Sequence, residues 1–180
     1  MKKFFVFMAA ACCALAINAT TYTSHIAVTI NGETTEQEDV PVLVTQSNGA
    51  YNLSLNNFVL WVGDFPMPVG NIAVSDVEGV DGHGFTTIKF DDSINITDGD
   101  DPQYDTWAGP LLGSVPIILT ARFTDNALSA RIDIDMMSMI GQVISVELFG
   151  VAPSLEGDVN HDGEVTVSDV NKVIDIVLSK

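Results

Sequence analysis

The chain reads as an all-β protein of about eight antiparallel strands, closed as a barrel or stacked as a sandwich, with a short loop and helix appended at its C-terminal end. Three observations carry that reading. Apolar and polar residues alternate with period two from Thr20 to about Gly150. Asn-Gly and Asp-rich pairs punctuate the alternation where hairpins must turn. Beyond Pro153 the apolar spacing changes to that of a helix.

The elements follow in order. Ile26, Val28 and Ile30 alternate with Ala27 and Thr29, which predicts a strand over 22–30, ended by Asn31-Gly32. A second run, 40–46, leads to Asn48-Gly49. Tyr51, Leu53 and Leu55 alternate with Asn52, Ser54 and Asn56 in a third strand, 50–60. Strands at 69–77 and 84–90 come next. Residues 91–112 form a long acidic excursion, with Asp98-Gly99 as a turn and a short extended piece at Ile94-Asn95-Ile96. Val115, Ile117, Leu119, Ala121 and Phe123 share one face of a strand over 114–123. Past Asp125-Asn126, Leu128, Ala130, Ile132 and Ile134 oppose Ser129, Arg131, Asp133 and Asp135 in a strand over 127–136. Ile144, Val146 and Leu148 oppose Ser145 and Glu147 in the last, 142–149. Strict alternation means one buried face and one wet face. An eight-stranded barrel is just wide enough to be filled by side chains, or to hold one small ligand.

The N-terminal residues are excluded from this fold. Lys2 and Lys3 precede an apolar run from Phe4 to Ala16, the pattern of a secretory leader and too short to span a bilayer. Residues 1–19 read as a signal peptide cut after Ala19, with Ala14-Leu15-Ala16 as an alternative site. Acylation at Cys12 lacks the usual leucine-type residue three positions earlier. Both cysteines, Cys12 and Cys13, fall within the leader, so disulfides do not hold the mature chain. The expected location is outside the cell, in the periplasm or at the cell surface. The chain carries 24 acidic against 7 basic residues, a net charge of −17. Loss of Lys2 and Lys3 deepens that charge. It repels nucleic-acid phosphates and anionic lipid surfaces. No later segment is apolar and long enough for a transmembrane helix.

Val151 to Glu156 reads as a linker around Pro153 and Ser154. The stretch after it has a definite chemistry. Asp158, Asn160 and Asp162 stand at positions 1, 3 and 5 of a twelve-residue loop. Gly163 stands at the sharp turn of position 6, Glu164 at position 7 offers its carbonyl, and Asp169 at position 12 closes the set. Calcium takes six to eight oxygen ligands from this spacing. The bland alternative, an acidic surface turn, does not require so many matched positions. Val170, Val173, Ile174 and Val177 then form one apolar stripe at i, i+3, i+4 and i+7. The helix is short and β-branched, marginal alone, so its stripe needs a surface. With these residues in view, 157–180 resembles one repeat of a dockerin, the calcium module that plugs into cohesins. That resemblance implies bound Ca2+ and docking of the helix on a cohesin-like partner or a second copy. Dockerins have two such repeats; this chain has one.

Other motifs are scattered through the β region. They are Asn57-Phe58, Pro66-Met67-Pro68-Val69-Gly70-Asn71-Ile72, Trp107-Ala108-Gly109-Pro110-Leu111-Leu112-Gly113-Ser114-Val115-Pro116, Ile132-Asp133-Ile134-Asp135 and Phe149-Gly150. Together they resemble the calycin-like β-barrel domains of secreted proteins from gut Gram-negative bacteria. This implies a lipocalin-like barrel over about 22–150, which together with Thr20-Thr21 makes a domain of 20–150. The Gly-x-Trp signature of true lipocalins is absent, and fold analogy does not give a function.

The remaining constellations are plain. His25, His83 and His161 are isolated and read as structural or solvated. Asp91, Asp92, Asp98, Asp100, Asp101 and Asp105 match no ion-loop spacing and read as a solvated loop. Trp61 and Trp107 are placed as core or rim packing before a sugar platform. Met136, Met137 and Met139 are expected to plug one barrel end. No nucleophile elbow, phosphate loop or zinc pattern is present, so no catalytic residue is assigned. The expected function is a secreted, non-enzymatic binding module. Its barrel takes a small apolar ligand or glycan, and its tail binds calcium and docks. A structural or assembly protein with a solid barrel is the alternative, and a polysaccharide-related hydrolase component comes third.

Overall fold

The computed structural model of the chain describes residues 18–153, 157, 159 and 165–178. Eight antiparallel strands close on themselves in sequence order, so each strand pairs with its neighbours in the chain and β8 pairs with β1. The strands are β1 Asn18–Ile30, β2 Glu33–Ser47, β3 Ala50–Val62, β4 Phe65–Gly82, β5 Phe85–Asn95, β6 Ser114–Phe123, β7 Ala127–Met136 and β8 Gln142–Val151. One turn of helix, α1 Met137–Ile140, joins β7 to β8, and the tail carries α2 Val167–Leu178.

The last three strands coincide with their expected limits, apart from two residues added to β8. The first five run longer. Most of their extra residues are polar, and irregularities inside β2, β3 and β4 break the alternation. Asp39, Asn57 and Asp76 adopt positive φ inside β2, β3 and β4, where each shifts the phase of its strand. Asn31-Gly32 and Asn48-Gly49 do turn, with positive φ at both residues. His83-Gly84 has the same conformation, so this histidine is a turn residue, stacked on Phe85.

The alternating side chains meet inside. Tyr22, Ile26, Leu53, Ile88, Leu119, Met136 and Leu148 are all less than 2% exposed and form the barrel core from one end to the other. Each fully buried aliphatic side chain of this kind stabilises the fold by roughly 1.5–3 kcal/mol. Met136, the last residue of β7, is buried in the core cluster, but Met137 is 56% exposed, because β7 ends there and α1 turns it outward. The side chain of Met139 lies outside the described residues. No helix among the described residues is long and apolar enough to cross a membrane.

Candidate functional site

The two ends of the barrel differ. At one end β1, β3, β5 and β7 begin. There Tyr22, Tyr51, Thr86 and Phe123 surround a small opening of about 160 Å³ that also reaches Gln46, Thr124 and Asp125. The Tyr22 hydroxyl donates to the Thr124 carbonyl at 2.5 Å, and the Gln46 amide donates to the Tyr51 hydroxyl at 2.8 Å. Tyr51 meets Phe123 edge to face, 5.1 Å between ring centroids. Burial, and then the charge of Asp125, push the Tyr22 phenol up from 10.0 to about 12. This mouth is polar, internally satisfied and smaller than ordinary ligand sites, which begin near 300 Å³.

The other end is splayed. The register of β6 with β7 stops at Ile117–Ile134. Where the strands part, a cleft of about 420 Å³ opens. Pro116, Ile117, Ile118, Ile134 and Val143 give it apolar walls, and Asp91, Asp92, Asp133 and Asp135 stand at its rim. Asp133 is paired with Arg131 at 2.9 Å, which also reaches Glu147 at 3.0 Å. That fork keeps the guanidinium firmly charged on the outer wall. Asp92 accepts from the Ser93 amide inside β5, and Asp135 accepts from that of Met137 where β7 ends. Inside the same end, Ile30, Val40, Phe58, Phe90, Ile144 and Val146 pack on the core while staying partly exposed. Neither opening is lined by a histidine. His25 sits on the outer wall, 2.8 Å from Glu38.

Three of the motifs that carried the barrel resemblance, those at Asn57, Pro66–Ile72 and Trp107–Pro116, converge on one place. Asn71 pairs with Thr97 in a single bridge, and its side chain accepts from the Asn57 amide at 2.7 Å and donates to the Asp98 carbonyl at 2.8 Å. Asn57 in turn exchanges hydrogen bonds with Asp100 at 2.6 and 2.7 Å. The Ala108 amide donates to the Pro68 carbonyl at 2.8 Å. Trp107 is buried beneath Gly99, and Gly109 lies so close to Ile96 and Val69 that a Cβ has no room. Thus the acidic excursion is a strap, stitched to the β3–β4 hairpin by Asn, Gly, Pro and Trp. Trp61, by contrast, is 44% exposed near the hairpin tip, and neither tryptophan lines the cleft.

In the tail, Asp158, Asn160, Asp162 and Glu164 lie outside the described residues, as does His161. Asp169 is described, and is 3% exposed. Its Oδ1 accepts from the Val159 amide at 2.8 Å and its Oδ2 from the Thr166 amide at 2.7 Å. Thr166 Oγ1 accepts from the Ser168 amide at 3.2 Å. This is a capping box with Asp in place of Glu. It starts α2 and draws the twelfth loop position onto the second. Val170, Val173, Ile174 and Val177 are 43–64% exposed.

A family model described as a calycin-like beta-barrel domain matches residues 19–150, the span of the closed barrel. A solved structure from Bacteroides fragilis, whose description as an outer membrane protein is provisional, is similar with a TM-score of 0.50 and 17% identity. The match covers 74% of this chain and 50% of that one, so the chain spans half the length of that protein. At this identity the likeness concerns the fold. A search of curated proteins gave no match.

Proposed function

The chain belongs to the calycin-like β-barrel domain family, and from that premise we propose that it is an exported, non-enzymatic binding module. It seats a small apolar ligand at the splayed end of the barrel and docks through a calcium-ordered tail. The observation that carries the reading is the cleft of about 420 Å³ with its isoleucine-rich walls. It falls in the size range of small-molecule sites, whereas the polar mouth does not. An apolar ligand is favoured over a glycan because neither tryptophan offers a platform there. The N-terminal leader motif places the chain outside the cytoplasm, in the periplasm or at the surface.

The tail fits calcium on one observation: Asp169 is folded back to the Val159 amide, so position 12 lies over the start of the loop. Asp158, Asn160, Asp162, the Glu164 carbonyl and Asp169 would hold the ion. The ion supplies the positive charge that lets these acidic groups share one loop. The stripe Val170, Val173, Ile174 and Val177 then meets a cohesin-like partner or a second copy.

One observation favours the assembly reading instead: the core of the barrel is filled to below 2% exposure. Native mass spectrometry of the mature chain from its own host, with calcium and with chelator, separates the two. The binding reading expects one ion and a carried apolar mass per chain. A chain with no carried mass, which also fails to bind a neutral fluorescent probe such as N-phenyl-1-naphthylamine, overturns it in favour of assembly.

A further inference from the structure

The cleft at the splayed end begins at a proline. The β6–β7 ladder stops at Ile117–Ile134, one residue short of Pro116, which has no amide to donate. Each strand is still held by its other neighbour at that level. Ser93 of β5 pairs with Pro116, and Asp135 of β7 pairs with Val143 of β8. The gap is therefore a fixed feature of the wall. Its apolar lining reaches the surface, with Ile118 54% and Val143 50% exposed, while Ile117 is buried.

The charges around this cleft have one sign. Asp91 and Asp92 line it from β5, Asp133 and Asp135 from β7, and no Lys, Arg or His lines it. Arg131 matches only Asp133, through a fork at 2.9 and 3.1 Å, and its other terminal nitrogen goes to Glu147. Asp92 and Asp135 accept backbone amides alone, and among the described residues Asp91, Asp92 and Asp135 have no ion-pair partner. The other basic residues of the barrel are placed elsewhere. Arg122 lies 5.2 Å from the centre of the Phe85 ring, and Lys89 is exposed on β5 outside the lining. Exposed aspartates by themselves are merely solvated. Here they surround an apolar cleft of ligand size and leave it without a counter-charge.

We infer that the cleft is selective for cationic amphiphiles, with the apolar body on Pro116, Ile118, Ile134 and Val143 and an ammonium head among Asp91, Asp92 and Asp135. The inference rests on the binding reading of the same cleft and adds the charge of its ligand. An anionic head meets like charge on both flanks and finds no cation to receive it, because Arg131 is already matched. At about 4–6 Å from such carboxylates in water, opposite charge favours binding roughly tenfold over a neutral head, and like charge disfavours it about as much. A bare metal ion does not fit the same residues, since among the described residues no three acidic or histidine side chains converge on one point.

Titration calorimetry on the mature chain tests this with octylammonium, octanol and octanoate, which share one apolar body. Octylammonium should bind roughly tenfold more tightly than octanol, and octanoate most weakly. Raising salt from about 0.01 M to about 1 M shortens the screening length from roughly 30 Å to 3 Å and should erase most of that advantage. Asp91→Asn combined with Asp135→Asn keeps the shape of both side chains and should bring the octanol-to-octylammonium Kd ratio towards one. Glu36→Gln combined with Glu78→Gln removes the same charge from exposed positions on β2 and β4 and should leave that ratio alone. A ratio near one in the native chain overturns the inference, while octanol binding upholds the cleft. An advantage that falls equally in both double variants also overturns it, since it then comes from net charge. If none of the three binds, the binding reading falls and this inference with it.

Discussion

From β6 through β8 to β1 the barrel wall is made of backbone. β7 and β8 pair from Ala127–Val151 to Met136–Gln142 without a slip, and β1 follows β8 from Thr23–Val151 to Ile30–Ile144. From β2 to β5 the wall is made differently. The β4–β5 register holds only Gly79–Ile88 to Gly82–Phe85, then reappears at the single bridge Asn71–Thr97. Side chains supply what the ladders lack: Gln37 between β2 and β3, Asn71 across the β3–β4 slip, and the Asp76 amide bonded to Asn52 Oδ1 at 2.9 Å. An unbroken ladder shares its load over many identical bonds. A stitched wall concentrates it on a few polar side chains, so it can open locally while the rest stays shut. The cleft lies at the end where the β6–β7 ladder stops.

The comparison breaks most visibly in the core. Leu119 is 1% exposed on the laddered side, and Leu60 is 4% exposed under the hairpin. Leu119→Ala should cost about 3–5 kcal/mol in denaturant titration, because rigid surroundings leave the cavity standing. Leu60→Ala should stay nearer about 2 kcal/mol, because the hairpin can close over the space. Equal losses would mean that the two sides are equally rigid.

The strap comes next. Gly109→Ala drives a Cβ into Ile96 and the Val69 carbonyl, neither of which is a free side-chain end. The expected cost is about 1–3 kcal/mol, with Trp107 emission moving to the red as the strap lifts. Emission that stays blue while stability falls would place the strain in the core instead.

How much of this was open to a reader of the sequence follows the same division. Where the ladders run without a slip, period two is unbroken, and β6 and β7 are legible to the residue. Where Asp39, Asn57 and Asp76 shift phase, the alternation fades and the strand ends are lost, although the residues themselves are visible. The same residue types that hide the strands mark the stitched wall: Asn57, Asn71, Gly70, Gly109 and Trp107 stand in the motifs that gave the barrel resemblance. Gln37 carried no signal, since a lone glutamine on a strand is ordinary. The cleft was invisible for a different reason. It exists because β7 leaves β6 after Ile134, and alternation does not encode where two strands part.

The polar mouth gives a smaller, pH-dependent effect. The fold holds the Tyr22 phenol at about 12 against 10.0 unfolded, first through burial and then through Asp125. A raised folded value means that the protonated form is the one favoured by folding. The contribution is therefore complete below pH 10.0 and is lost as pH rises from 10.0 towards about 12. Thermal melts across that window should fall more steeply for the native chain than for Tyr22→Phe. Parallel curves would show that the mouth admits water to the phenol.

The smallest effect on the barrel should come from the tail, which extends the contrast to a part with almost no buried surface. Among its described residues only Asp169 is buried, and it accepts amide hydrogen bonds at 2.8 and 2.7 Å. Asp169→Ala removes the reach back to Thr166 and the tie to Val159 together. Loss of such a cap costs a helix about 0.5–2 kcal/mol, and α2 has only 12 residues with which to absorb it. The helical signal should fall, and the heat of calcium titration should vanish with it, as it should for Asp158→Ala combined with Asp162→Ala. The barrel melt should not move, because the apolar stripe of α2 stays exposed rather than packed into the core. A drop in barrel stability would mean that the stripe is part of the wall. Calcium heat that survives both variants would mean that the loop is an acidic turn and nothing more.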